Sequence, residues 1–76
     1  MEKYYMIHSS LFEHIGNNTF KCIASTRKNM LGTMIIKPDL HQPWVHPVTS
    51  KDEAIHWMKE DAYWDNVEVH TLEGRR

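Results

Sequence analysis

The most regular pattern of apolar and polar positions covers residues 51–63 and predicts an amphipathic helix. Ser50 precedes this segment and Glu53 follows three residues later, which is the spacing of a capping box. Apolar side chains recur at helical spacing and define a stripe that is expected to be buried, formed by Ala54, Ile55, Met58 and Ala62. The helix is therefore expected to pack on another layer through this stripe.

Shorter segments show the two-residue alternation of β-strands. They are residues 3–8, 19–25, 33–37 and 67–71. Within 19–25, Phe20, Cys22 and Ala24 are expected on one face and Ile23 on the other. Such strands suit an antiparallel sheet.

Two segments are harder to assign. Residues 9–15 either form a short helical turn, with Ser10 and Glu13 as a second capping box, or extend the first strand into a hairpin. Both alternatives stay open. Residues 38–49 contain three prolines and are expected to form an extended Pro-rich loop.

Together these elements predict one α+β domain over residues 1–76, with a frayed tail at 73–76. A small antiparallel sheet of three or four strands would carry the main helix on one face, in the order β, short α, β, β, loop, α, β. The helix would dock through Ile55 and Met58. The opposite face would display an apolar surface from Tyr4, Met6, Ile23, Ile35 and His70.

Composition narrows the class of protein. The chain has 76 residues and a formal net charge of −1, which does not suggest a strongly basic nucleic-acid binder. Cys22 is the only cysteine, so no disulfide can form within the chain, and a cytoplasmic location is expected. No apolar run approaches the ~20 residues of a membrane span.

Candidate catalytic chemistry is weak, and no enzyme activity, metal or cofactor is expected. Six histidines occur, but none shows a metal-ligand spacing. Cys22 is expected to be a small buried hydrophobe. Acidic residues of the helix, among them Glu53, Asp61 and Asp65, are expected to form a solvated face.

The aromatic residues are the most informative group. Trp57 and Trp64 fall on one flank of the buried stripe, whereas Tyr63 points away from it. Trp44 and Trp57 either fold together over a thin core, which the small size favours, or form an interface. Whether Trp44 belongs to the core or to an interface stays open.

These features predict a small non-enzymatic protein-binding module, either a regulator or inhibitor of a larger protein or a small homo-oligomer such as a homodimer. The expected contact residues are Met6, Ile23, Ile35, Trp44 and Tyr63. In length and in its aromatic and methionine content the chain resembles small accessory proteins, such as those that phages make to bind a host protein.

The alternative is binding of nucleic acid or of a nucleotide phosphate. Lys21, Arg27, Lys28 and Lys37 would supply the positive charge. Nearby aromatic side chains would stack on bases.

Overall fold

Six strands and one α-helix make up the fold in a computed structural model that describes residues 3–72. They are β1 (Tyr4–Ile7), β2 (Ser10–Gly16), β3 (Thr19–Ser25), β4 (Ile35–Ile36), β5 (Val45–Val48), α1 (Lys51–Trp64) and β6 (His70–Thr71), with one 3₁₀ turn at Lys28–Met30. All pairings are antiparallel, in the order β4-β3-β2-β1-β5, and β6 also pairs with β3. The α+β class is confirmed, but the sheet is larger than the three or four strands predicted. The predicted tail at 73–76 lies outside the described residues.

Two tight hairpins join the first three strands. Their two-residue turns are His8-Ser9, with φ of 50° and 66°, and Asn17-Asn18, with φ of 47° and 62°. Positive φ at both central residues is the signature of the type I′ turn, whose twist matches that of paired strands. Residues 9–15 therefore belong mainly to a strand, and the helical alternative is wrong.

The Pro-rich segment contains a strand that the sequence analysis assigned to a loop. β5 pairs with β1 at the edge of the sheet, and Pro47 lies opposite Tyr5. A proline cannot donate to the ladder, so it is tolerated in an edge strand where its nitrogen faces away from the partner. Only the part before β5 remains a connection.

Asp39 organises that connection. Its carboxylate accepts a hydrogen bond from the backbone N–H of His41 at 3.0 Å and another from Nε2 of Gln42 at 3.2 Å. The His41 bond, followed by the Gln42 bond, holds the pKa of Asp39 below its usual value. These bonds turn the chain toward β5.

The sheet is buried on both faces. The helix face, which lies against α1, carries Tyr4, Met6, Leu11, Ile23, Ala24 and Val48, and α1 packs on it with Ala54, Ile55 and Met58. The loop face carries Tyr5, Ile7, Phe12, Phe20, Cys22 and Val45, and it is covered by Met30, Leu31, Ile36 and Leu40. Tyr5 and Phe20 meet edge to face at 5.2 Å between ring centroids. The segment from the 3₁₀ turn to β5 therefore acts as the second covering layer.

This arrangement corrects the predicted assignment of faces. Met6 and Ile23 were expected on the face away from the helix, but both belong to the cluster beneath α1. A β-bulge lies where Leu11 pairs with Ala24 and the next residue pairs with Cys22. The bulge skips Ile23, so Ile23 and Ala24 both pack in the cluster beneath α1 and the simple alternation fails.

The helix begins as predicted. Ser50 is extended, with φ −130° and ψ 119°, and its hydroxyl accepts a hydrogen bond from the backbone N–H of Glu53 at 3.2 Å. Ala54, Met58 and Ala62 are buried and Ile55 is half-buried. The predicted stripe and N-cap are confirmed.

Replacing Ser50 with alanine is expected to lower the free energy of unfolding by about 1 kcal/mol, because the first helical turn loses its acceptor. For a domain of this size that corresponds to a fall in Tm of roughly 4–8 °C. Ser50→Asp keeps an acceptor and serves as the control. Urea unfolding of both variants is the measurement, and equal losses for both would contradict the capping role.

The first hairpin generates a second prediction. Ser9 has φ of 66°, which is strained for a residue with a Cβ atom. Ser9→Gly is expected to raise the free energy of unfolding by about 0.5–1 kcal/mol, since relief of strain outweighs the added chain entropy. Ser9→Ala keeps the strain and is expected to give no gain. A gain of equal size from alanine in thermal unfolding would refute the explanation.

Candidate binding surface

Helix α1 exposes three large aromatic side chains. Trp57, Tyr63 and Trp64 are 58%, 76% and 81% exposed, and we refer to them as the aromatic surface. Tryptophan is usually largely buried in folded domains. Their exposure is therefore the least expected feature of the surface.

Helical geometry explains how the three rings are placed. Trp57 and Trp64 are seven residues apart, which is about two turns or 10 Å along the axis, so they project from the same flank. Neighbouring rings support them: Tyr63 and Trp64 lie 5.4 Å apart between centroids, at 83°. His56 and Trp57 lie 5.9 Å apart at 68°. Both pairs have the edge-to-face arrangement that aromatic rings prefer.

A groove runs beside this flank, between α1 and strands β1 and β5. It consists of two cavities of about 270 Å³ and 330 Å³, and both are lined by Met6, Met58 and Asp61. Trp57 forms a wall of the first cavity, and Val67, which is 50% exposed, lines the second. We call this feature the helix groove. Its methionine floor can adapt to different apolar side chains.

Carboxylates line the same groove. Glu53 belongs to the first cavity, Asp65 to the second and Asp61 to both, and all three residues are exposed. In the described part of the chain these carboxylates form no ion pair. The surface around Tyr63 and Trp64 differs, because there the Glu60 carboxylate lies 3.4 Å from Nε2 of His56. Within residues 3–72, the groove therefore carries carboxylates that are not ion-paired, next to apolar surface.

The predicted protein-contact residues do not form one surface. Tyr63 is exposed as expected, whereas Ile23 is 7% exposed and Met6 is half-buried in the floor of the helix groove. Ile35 is 49% exposed, but it lies on β4 at the far edge of the sheet. A role for these residues in binding stays a prediction.

Trp44 lies apart from the helix tryptophans. It is 47% exposed, and its ring stacks on His8 at 6.2 Å between centroids with an interplanar angle of 22°. The pairing of Ile7 with Val45 explains this contact, because each aromatic residue is adjacent to one member of the pair. Of the two alternatives left open for Trp44 and Trp57, packing together over the core does not agree with their exposed fractions of 47% and 58%.

The basic residues of the alternative function fall into separate groups. Lys21 lies near the start of β3 and pairs with Ile35 of β4, and Lys37 follows two residues after Ile35. Arg27 and Lys28 come after the end of β3. The part of β3 from Lys21 to Ser25 advances by four residues, or about 13 Å, and so separates the two groups. The four side chains are not brought together in one cluster.

Within residues 3–72, no three histidine, cysteine, aspartate or glutamate side chains are placed to hold a metal ion. Among the described helices, none is long and apolar enough to cross a membrane.

Trp57 and Trp64 were expected on one flank of the helix, but Asp61 was not recognised as part of the same surface. The signal was present, because Glu53, Trp57 and Asp61 recur at four-residue spacing beside the buried stripe. What the sequence did not reveal was a groove next to them. That groove exists only because β1 and β5 approach the helix.

Comparison of the chain with protein-family models, with curated proteins and with solved structures finds no match. The function must therefore be argued from the geometry of the surface.

Cys22 belongs to the core and not to a site. It is 0% exposed, and burial raises the pKa of its thiol, an effect that outweighs the contact of Sγ with the carbonyl oxygen of Ala24 at 3.7 Å. A buried neutral thiol is a poor nucleophile. The expectation of a small buried hydrophobe is confirmed.

Thiol labelling at pH 8 is therefore expected to be more than about 100-fold slower in the native protein than in urea, because reaction requires unfolding. The free energy of unfolding is also expected to fall as the pH rises above about 8.5, since the unfolded chain then forms a thiolate that the folded chain resists. Below that pH the contribution of the thiol is fully present. Cys22→Ala should remove this dependence, and rapid labelling of the native protein would contradict the assignment.

Proposed function

We propose that the protein is a non-enzymatic protein-binding module whose contact surface is the aromatic surface of α1 together with the helix groove. The observation that carries the proposal is the exposure of Trp57, Tyr63 and Trp64, at 58%, 76% and 81%. A regulator or inhibitor of a larger protein would act through such a surface by covering part of its target.

The energetics support an interface at this position. Aromatic side chains bury about 150–250 Å² each, so three of them supply roughly 450–750 Å² of contact area. A standard interface buries about 800 Å² on each partner. Tryptophan and tyrosine are also the residues most enriched among those that dominate binding energy. The aromatic surface and the groove are therefore large enough for a specific contact.

Charge indicates the chemistry of the partner. Glu53, Asp61 and Asp65 line a groove whose floor is formed by Met6 and Met58. A segment that combines lysine or arginine with apolar side chains matches both features. Its cations would increase the rate of association and fix the register, while its apolar groups would supply most of the affinity.

The test is affinity capture from the cells that make the protein, with variants that separate this surface from the rest. The binding variant is Trp57→Ala with Trp64→Ala, and the control is Ile15→Ser, which changes an apolar residue that is 48% exposed and lies outside the aromatic surface and the helix groove. A partner retained by the wild type and the control should bind the double alanine variant at least about 30-fold more weakly.

Three further results would contradict or change the proposed function. Affinity for a captured protein that is unchanged in the double alanine variant, or lost equally in the control, would contradict the proposal. Binding that does not weaken as salt increases would contradict the proposed basic partner. Sedimentation equilibrium distinguishes a homodimer: self-association that requires Trp57 and Trp64 would make a second copy the partner.

A further inference from the structure

A further cavity opens toward the loop face of the sheet, next to the second cavity of the helix groove, with which it shares Ser9 and Thr26. It has a volume of about 380 Å³ and lies between the His8-Ser9 turn, the end of β3 and the segment that follows the 3₁₀ turn. Ligand pockets in proteins occupy about 300–1,000 Å³. The cavity is therefore large enough for a small organic molecule.

One part of the cavity is apolar. Phe12, which is 2% exposed, forms part of the wall with Met30, Met34 and Ile36. Met34 is 40% exposed, so part of this surface is in contact with water when the cavity is empty. A bound apolar group would remove that surface from water, and unbranched methionine side chains can adjust to its shape.

The other part is polar, and two of its side chains, Ser10 and Ser25, are hydrogen-bonded within the fold. The hydroxyl of Ser10 donates to Oγ of Ser25 at 2.9 Å, and Oγ of Ser25 accepts from the backbone N–H of Arg27 at 3.1 Å. These bonds fix the backbone of Arg27 at the rim. Arg27 is exposed and lines the cavity, and within residues 3–72 its side chain makes no hydrogen bond or ion pair. A cationic residue thus stands at the rim of a cavity that is apolar on its other side.

We propose that this cavity binds a small amphipathic carboxylate. The planar guanidinium of Arg27 can hold a carboxylate through two parallel hydrogen bonds. The hydrocarbon part would lie against Phe12, Met30 and Met34. Arg27 is the one lysine or arginine among the described residues that line the cavity, and one guanidinium matches the single charge of a carboxylate better than the double charge of a phosphate ester. The cavity adjoins the second cavity of the helix groove, since Ser9 and Thr26 line both, but the residues proposed to hold the carboxylate and its hydrocarbon part line neither cavity of that groove.

The test uses octanoate as the probe, below its micelle concentration, and follows the methyl signals of the methionines by NMR. Octanoate is expected to shift the signals of Met30 and Met34, which line the cavity, and to leave those of Met6 and Met58 in place. The last two methionines line the helix groove and therefore act as an internal control for nonspecific binding.

Variants and a second probe test the role of charge. Arg27→Gln is expected to weaken octanoate binding at least about tenfold, whereas Lys28→Gln, one residue further along and outside the cavity lining, should leave it unchanged. Octylammonium carries the opposite charge and should not shift Met30 or Met34. Equal binding of both probes, an unaffected Arg27→Gln variant, or shifts confined to Met6 and Met58 would overturn the proposal.

Discussion

The hairpin of β2 and β3 has to be covered on both of its faces, and the remaining elements are arranged to do so. Leu11 on one face and Phe12 and Phe20 on the other are 0–2% exposed, although they belong to a chain of only 76 residues. Burying each such side chain contributes about 1.5–3 kcal/mol. One helix can cover one face only. The segment between β3 and β5, which has little regular structure, therefore supplies the second layer with Met30, Leu31, Ile36 and Leu40.

Because α1 has to cover only one face of the sheet, it can expose much of its aromatic surface. Its contact with the sheet uses Ala54, Ile55 and Met58, and the small alanine lets the helix approach closely. Since the loop face already buries the larger aromatic residues Tyr5, Phe12 and Phe20, the core does not require Trp57 or Trp64. Both tryptophans can remain on the flank, next to the groove that the approach of helix and sheet creates. On the loop face, the covering segment has little regular structure and does not fill all of the space, so a cavity remains.

The features that local interactions determine were predictable from the sequence. The Ser50 cap, the buried stripe of α1 and the bounds of β3 depend on residues close in sequence, and each was assigned correctly. The face of the sheet on which each side chain lies was not predictable, because both faces are apolar and the bulge at Ile23 interrupts the alternation. The candidate site could likewise be predicted from the sequence only in part. Exposure of Tyr63 follows from its helical position, but the position of Trp44 depends on the pairing of β5 with β1.

The edges of the sheet determine how copies of the protein can meet. β4 and β6 are two residues long, and the strand at the other edge, β5, is interrupted by Pro47. Short strands and proline at an edge give an incoming strand few backbone groups to pair with. The sheet is thereby protected against extension into fibrils or continuous intermolecular sheets. A contact between copies would therefore rely on side chains, and point substitutions could alter it without a change in the backbone ladder.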